Sequence, residues 1–330
     1  MGTNMDNIFL NACKNGQKGV VETFVKKGGI NYNKRDANGN TPLYYAAQKG
    51  ARDIVKLLVE NGADTGLANN QSATPLHAAS KTGNKEIITI LTENGADVNA
   101  TDTDGKTPLI YAVAAGKSEI TRQLLLLGVD KSIKDNNNHN ALDYATSAGL
   151  RDIIALLADD DAGLSQKDNY GNTPLHQAVA AGQSEVVIAL LSKSKDSVNE
   201  LNDSGESPLI LAAMNANIHL VDLLLENGAD ANLKLLDGSS PLHYAAAMGN
   251  QFIGKSLIKG GANVNFRNES SETPLIIAAS RGNNDFVSLL IENEADVNAV
   301  DNAQQSALYY ASESGFTEIV EMLIMAGAEN

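Results

Sequence analysis

The chain has 330 residues, 43% of them hydrophobic, with no Trp and a formal charge of −15. That charge argues against nucleic acid as a general partner, because phosphate binding needs clustered Lys and Arg. No run approaches the roughly 18 apolar residues of a membrane span, and the single cysteine, Cys13, excludes an intramolecular disulfide and any multi-cysteine metal site.

The opening MGTNMDNIFLNACKNG has neither a basic n-region nor an apolar h-region. The expected location is therefore cytoplasmic, in a reducing setting, with delivery into a host cell as the other option. Asp6 stands where a myristoylation signal needs Ser or Thr, so no lipid is expected. The fragment NIFLNACKNG from Asn7 aligns as a divergent first unit of a repeat that is plain from Thr41 onward. Tetrads TPLY (Thr41), TPLH (Thr74), TPLI (Thr107), NALD (Asn140), TPLH (Thr173), SPLI (Ser207), SPLH (Ser240), TPLI (Thr273) and SALY (Ser306) follow at spacings of 33, and once 34.

Each unit follows from local chemistry. Thr or Ser is a good N-cap and the next Pro suits the first helical position, so each tetrad predicts a helix start. Leu43, Ala46 and Ala47 give that helix an apolar face of small side chains, and Gly50 or its equivalents Gly83, Gly116, Gly149, Gly182 and Gly249 end it. A second amphipathic run, such as Asp53 to Leu58, predicts a second helix stopping at Gly62, Gly95 or Gly228. The polar stretches that follow, GADVNATDTDGK among them, predict tight hairpin-like turns toward the next unit. Two short helices cannot bury their own apolar faces, so the units must stack. The expectation is one all-α repeat solenoid over residues 1–330, with a divergent first unit at 1–36, internal units over 37–300 and a last unit at 301–330.

The sequence DGKTPLIYAVAAGKSEITRQLLLLGVDKSIKD and its sister units resemble the ankyrin repeat over essentially the whole chain. The resemblance implies helix-turn-helix units joined by β-hairpin-like loops, in a curved array whose concave face is made by hairpins and first helices. It also implies a role in binding other proteins. For His77, His176 and His243, fourth in their tetrads, it implies structural hydrogen bonds between units.

One stretch suggests different chemistry. GNQFIGKS, from Gly249 to Ser256, matches the phosphate-loop pattern G-x-x-x-x-G-K-[ST]. A phosphate loop follows a strand and opens a helix, whereas this stretch follows the first helix SPLHYAAAM and places Gly254, Lys255 and Ser256 inside the second. No nucleotide is expected. Cys13, beside Ala12, reads as a buried thiol. Asp159, Asp160 and Asp161 read as a solvated helix end rather than a calcium loop, since no bidentate Glu follows at the required spacing. Convergent acid, base or nucleophile groups are not found, so neither catalysis nor a cofactor or metal is expected. A small-molecule, nucleotide or enzymatic role in the groove is the alternative reading.

A partner would meet the hairpin tips and the groove positions seven and eight residues after each cap. Tyr45, Tyr111, Tyr144, Tyr244 and Tyr310 all stand four residues after their caps and form either a row of contact phenols or packing against the next unit. At the tips, Tyr170, Asp203, Glu206, Leu236, Asp237, Glu269 and Glu272 stand out. Leu236 follows Leu235, which replaces the Asp found at Asp102 and Asp168 and so removes a hydrogen bond of the turn. This apolar tip among acidic ones suits a basic and apolar peptide; alternatively Leu233 and Leu235 fold inward onto the neighbouring hairpin. Ala114-Ala115, Ser147-Ala148 and Ala180-Ala181 make the middle of the groove small and neutral. Residues 1–165 carry 17 basic against 19 acidic residues and 166–330 carry 8 against 21, a skew that either favours a basic partner or serves solubility.

The pattern departs in a few places. NALD lacks the Pro, Asn138 replaces the tip glycine, SKSKDSVNE carries the one-residue insertion, and Ala216 replaces a helix-ending glycine. Altered loops without a break in the stack are expected there. The last unit is only partly polar near Met322, Leu323 and Met325, which leaves a continuing chain or another molecule as its cover. The reading is a monomeric, non-catalytic scaffold for a protein or peptide partner.

Overall fold

Helix pairs at the 33-residue pitch account for the regular structure of the computed structural model, which describes residues 2–158 and 164–329. The chain divides into two units, residues 1–159 and 160–330. In the first unit the pairs are α1 (Gly2–Asn15) and α2 (Lys18–Lys27), α3 (Pro42–Lys49) and α4 (Arg52–Glu60), α5 (Pro75–Thr82) and α6 (Lys85–Glu93), α7 (Pro108–Ala114) and α8 (Ser118–Leu126), and α9 (Ala141–Ser147) and α10 (Arg151–Leu157). In the second they are α11 (Pro174–Ala180) and α12 (Ser184–Lys193), α13 (Pro208–Met214) and α14 (Ile218–Glu226), α15 (Pro241–Met248) and α16 (Gln251–Lys259), α17 (Pro274–Ser280) and α18 (Asn284–Glu292), and α19 (Ala307–Glu313) and α20 (Thr317–Met325).

The helices start where the caps predict. Thr41 Oγ1 accepts from the Tyr44 amide at 3.0 Å, Thr107 Oγ1 from Ile110, and Ser306 Oγ from Tyr309, which satisfies one orphan amide of each first turn. At NALD, where Pro is missing, Asp143 replaces it as a stabiliser: its carboxylate accepts from the Asn140 amide at 2.8 Å while Asn140 Oδ1 accepts from the Asp143 amide, a complete capping box. The first helices bury Leu43, Ala46 and Ala47 and their equivalents, and the second helices bury Ile54, Val55 and Leu58 and theirs. Within each unit, first helices lie side by side and second helices form the outer layer; the small alanines let the first helices pack the more closely.

Polar ladders join one repeat to the next. His77 Nδ1 accepts from the Thr74 amide at 3.1 Å and its Nε2–H donates to the Lys106 carbonyl of the following hairpin at 3.0 Å. His176 reaches the Glu206 carbonyl and His243 the Glu272 carbonyl in the same way, so the histidines take the inter-unit role the resemblance implied. Burial lowers all three pKa values, because desolvation penalises the charged imidazolium more than the hydrogen bond to the carbonyl favours it. A second ladder runs through Asn side chains: Asn33 Oδ1 accepts from the Asp64 amide, Asn99 from Asp130, Asn232 from Asn263 and Asn265 from Asp296.

Among the described residues the hairpins form no named strand; Val300 and Ser306 make one isolated antiparallel bridge. The one-residue insertion is absorbed by a 3-10 turn over Asp196–Asn199, which buries Ser197 and Val198 and returns Asn199 to the ladder position, where it accepts from the Asp230 amide at 2.8 Å. Asn138 takes the left-handed tip conformation with φ 65° and Ala216 the left-handed helix end with φ 54°. The stack continues through both. Unit by unit the charge is lopsided: residues 1–159 hold 17 basic and 17 acidic residues, residues 160–330 hold 8 and 23, so the net −15 resides in the second.

Candidate binding face

Every hairpin turns on the residue five positions before its cap. Asp102 shows how: Oδ1 accepts from the amides of Asp104 at 2.9 Å and Lys106 at 2.8 Å, and Oδ2 accepts from the Tyr111 hydroxyl at 2.8 Å. Asp36 with Tyr45 (2.6 Å), Asp135 with Tyr144 (2.7 Å) and Asp301 with Tyr310 (2.6 Å) repeat this latch. Four of the five tyrosines in the row therefore spend their hydroxyl protons on their own hairpins. Tyr45 is 7% exposed, whereas Tyr111, Tyr144 and Tyr310 keep part of a ring at the surface. Burial and the facing Asp raise the Tyr111 and Tyr144 hydroxyls well above the usual phenol range, and at Tyr310 the Asp301 bond comes first and takes it to about 12. Burial works against charge on Asp36, Asp135 and Asp301, but the phenol and amide donors outweigh it and hold these carboxyls below the usual range.

Where the turn residue changes, its partner changes too. Asn202 and Asn268 turn their Nδ2 groups onto Glu206 and Glu272 carboxylates at 2.8 and 2.9 Å, and the positions nine residues on are Leu211 and Ile277. Glu206 and Glu272 are thus half-buried and committed within their own tips. Asp168 meets Gln177 instead, at 3.3 Å.

The hairpin before the seventh tetrad, with Leu235 at the turn position, breaks the rule. Leu235 offers no carboxylate, so the Tyr244 hydroxyl has no hydrogen-bond partner among the described residues; burial, and then the charges of Asp237 and Glu206, raise its pKa. The turn keeps its backbone bonds, Leu235 N–H to the Ser239 carbonyl at 2.9 Å and Gly238 N–H to the Leu235 carbonyl at 3.0 Å, and the Asp237 carboxylate accepts from the Ser239 amide at 2.9 Å. Adjacent tips elsewhere pair through an amide and a carbonyl, as Asp203 does with Tyr170 at 3.0 Å and Glu269 with Asp237 at 3.1 Å, but Leu236 makes no such bond to Ser204. Its side chain instead lies over Gly205, where an added Cβ would sit 3.1 Å from Leu236 Cγ, and stays 75% exposed. Leu233 and Leu235 are half-buried, and only Leu236 of the three leucines is fully exposed. Around it Asp203, Asp237 and Glu269 are exposed, and Tyr170 is 74% exposed at its own tip.

With this geometry, the model of ankyrin repeats in three copies matches residues 2–69, 61–135, 115–200, 194–268 and 246–330, which is nearly the whole chain. The chain belongs to the ankyrin-repeat family. The structure is similar to the crystal structure of the ankyrin repeat domain of Bcl-3, described as a unique member of the IkappaB protein family, with a TM-score of 0.61 and 30% identity over 66% of this chain and 98% of that one. A stretch of 60 residues is 43% identical to the putative ankyrin repeat protein FPV219 of Fowlpox virus (strain NVSL); it covers 18% of this chain and 13% of the viral protein. Ankyrin repeats are, as a class, protein-binding modules.

Packing accounts for two of the remaining chemical candidates, GNQFIGKS and Cys13. In GNQFIGKS, Gly249 ends α15 with φ 68° and Gly254, Lys255 and Ser256 lie inside α16. A Cβ at Gly254 would come 2.7 Å from the Phe286 ring, so this glycine admits the next repeat rather than a phosphate. Cys13 is buried and its thiol is pushed up to about 12 by burial. Asp159 to Asp161 lie outside the described residues. Among the described residues no group of three His, Cys, Asp or Glu could hold a metal ion, and no helix is long and apolar enough to cross a membrane. What the sequence reading did not single out is Lys81, at a groove position seven residues after Thr74; it shares a recess with Lys106, Ala114 and Tyr144.

Proposed function

We propose that this ankyrin array is a non-catalytic interaction scaffold that holds a protein or peptide partner on its hairpin tips and first helices, and that the segment bound by the second unit is basic and apolar. The observation that carries this reading is the tip at Leu236, an exposed leucine ringed by Asp203, Asp237 and Glu269 on a unit of net charge −15. Tyr244, freed from its hairpin, and Tyr170 supply the phenols of this contact; Glu206 and Glu272 shape the tips that carry it. Tyr45, Tyr111, Tyr144 and Tyr310 serve the partner indirectly by fixing the hairpins. The scaffold acts as a monomer in a reducing interior, that of its own cell or of a host.

The test is affinity capture with the intact chain beside the exposed-residue variant Leu236→Asp, Asp203→Lys, Glu269→Lys, with circular dichroism on both. The account expects a partner retained by the first and lost by the second, with weaker retention as salt rises. Equal retention by two folded proteins would remove the second-unit tips from the site.

A further inference from the structure

Each repeat presents one face to the repeat before it and another to the repeat after, and the two end units show which side chains belong to each. With Asn7 as the first unit's equivalent of a cap, the thirteenth position after the cap is buried as Ile319 in the last unit but 40% exposed as Val20 in the first. The position directly after the cap is likewise buried as Ala307 and 48% exposed as Ile8. These side chains look backward. Tyr309 and Ile324 look forward: they are 44% and 55% exposed in the last unit, whereas their equivalents one repeat earlier, Ile276 and Ile291, are buried and half-buried. We propose that the forward face of one copy's last repeat docks on the backward face of another copy's first repeat, a reversible head-to-tail association of this chain. The inference goes beyond the scaffold reading: the monomer remains the partner-binding species, and the tip at Leu236 takes no part.

The chain's own stacking supplies the register. A Cβ at Gly254 would sit 2.7 Å from the Phe286 ring, so the fourteenth position of one repeat meets the thirteenth of the next. In the association Val320 therefore meets Val20. A Cβ at Gly260 would sit 2.7 Å from Leu225, which pairs the eighteenth position with the twentieth of the next repeat and lays Ile324 against the methylene stem of Lys27. Tyr309 holds the tetrad position from which His77, His176 and His243 reach the following repeat, and here it faces the start of the other copy's α1.

Charge selects this order of ends. Residues 1–36 hold six basic and three acidic residues, a net of +3, while residues 301–330 hold none and five, a net of −5. Lys14, Lys18 and Arg35 are engaged toward the second repeat, over the Tyr45 ring, on Asp53 and on the Ala68 carbonyl. Lys26 and Lys27 are exposed and form no ion pair among the described residues. The acidic groups of this unit are occupied: Asp6 accepts from the Asn31 amide, Asp36 from the Tyr45 hydroxyl, and Glu22 lies 3.9 Å from Lys18. By the same register the two lysines come up beside Glu321, which is exposed and unpaired among the described residues. Like ends repel and unlike ends attract, so copies meet head to tail. A few apolar side chains and one charge cluster make a small interface, with an expected dissociation constant on the order of 100 µM.

The probe is the intact chain of 34.8 kDa itself, followed by sedimentation velocity at low salt from about 10 to about 500 µM. The proposal expects the weight-average mass to rise at least about twofold over that range, and the association to weaken about tenfold or more at roughly 0.5 M salt. Val20→Asp closes the backward face and Ile324→Lys the forward face, and each variant alone should stay monomeric. Mixed in equal amounts they should form a dimer and nothing larger, because the forward face of the first still fits the backward face of the second. Both positions are exposed, and circular dichroism checks that each variant keeps the helical fold. An intact chain that stays monomeric throughout at low salt, a single variant that associates as the intact chain does, or a mixture that stays monomeric overturns the proposal. Neither substitution touches the hairpin tips, so both variants should still capture the partner of the second unit, and stacking and capture can fail separately.

Discussion

Replacing Asp102 by Ala removes two amide bonds at 2.9 and 2.8 Å and one phenol bond at 2.8 Å from a single hairpin. At about 1 kcal/mol net for each bond the expected loss is about 3 kcal/mol, somewhat less where water reaches the freed amides. Tyr111→Phe removes one of the three, so it should cost about 1 kcal/mol alone and close to nothing in the Asp102→Ala background, a coupling of about 1 kcal/mol. Urea unfolding followed by circular dichroism measures all four corners of this cycle, with fluorescence of the remaining tyrosines as a second probe because long arrays can unfold in steps. Tyr111→Phe costing the same in both backgrounds, or Asp102→Ala costing less than about 0.5 kcal/mol, would refute the latch.

Further expectations follow from the same contacts. Ala216→Gly, relieving a left-handed alanine, should stabilise the chain by about 0.5–1 kcal/mol, whereas Gly249→Ala should destabilise it, since φ is 68° and the new Cβ would sit 2.7 Å from Asn283 Oδ1; thermal melts read both. The three buried histidines have pKa values depressed below 6.5, so the folded state binds fewer protons than the unfolded one: their stabilisation is complete above about pH 6.5 and declines as pH falls below it. Urea midpoints should therefore drop between pH 7 and 5, and less so in a variant with His77, His176 and His243 replaced by Gln. Gly254→Leu should cost about 1–3 kcal/mol by overpacking against Phe286. Lys255→Ala should leave the melting temperature within a degree or so with or without added ATP and magnesium, since Lys255 only covers the Phe252 ring at 5.9 Å.

The tetrads made the helix starts legible because cap, proline and spacing are local signals. The insertion was legible as a length, but the 3-10 turn that restores Asn199 to its ladder depends on the repeats on either side. The tyrosine row was legible as a row. Its use was not, because the partner Asp lies nine residues away across a turn, although the fourfold coincidence of Asp with Tyr at that separation is a signal in the sequence itself. At Leu235 the missing Asp was legible as a lost bond of the turn, but the group left without its carboxylate is the Tyr244 hydroxyl, while Asp237 takes over the Ser239 amide. The recess beside Lys81 joins three repeats, so no single unit of sequence contains it. GNQFIGKS shows the converse, a short motif whose glycines answer to a helix end and to Phe286.

Hydrogen exchange on the intact chain, alone and saturated with the captured partner, tests the scaffold reading most directly. The account predicts slowed exchange at the tips around Asp203, Leu236 and Glu269 and on α13 and α15, with α14, α16 and α18 unchanged. Protection confined to those second helices, with the tips exchanging as in the free protein, would contradict it.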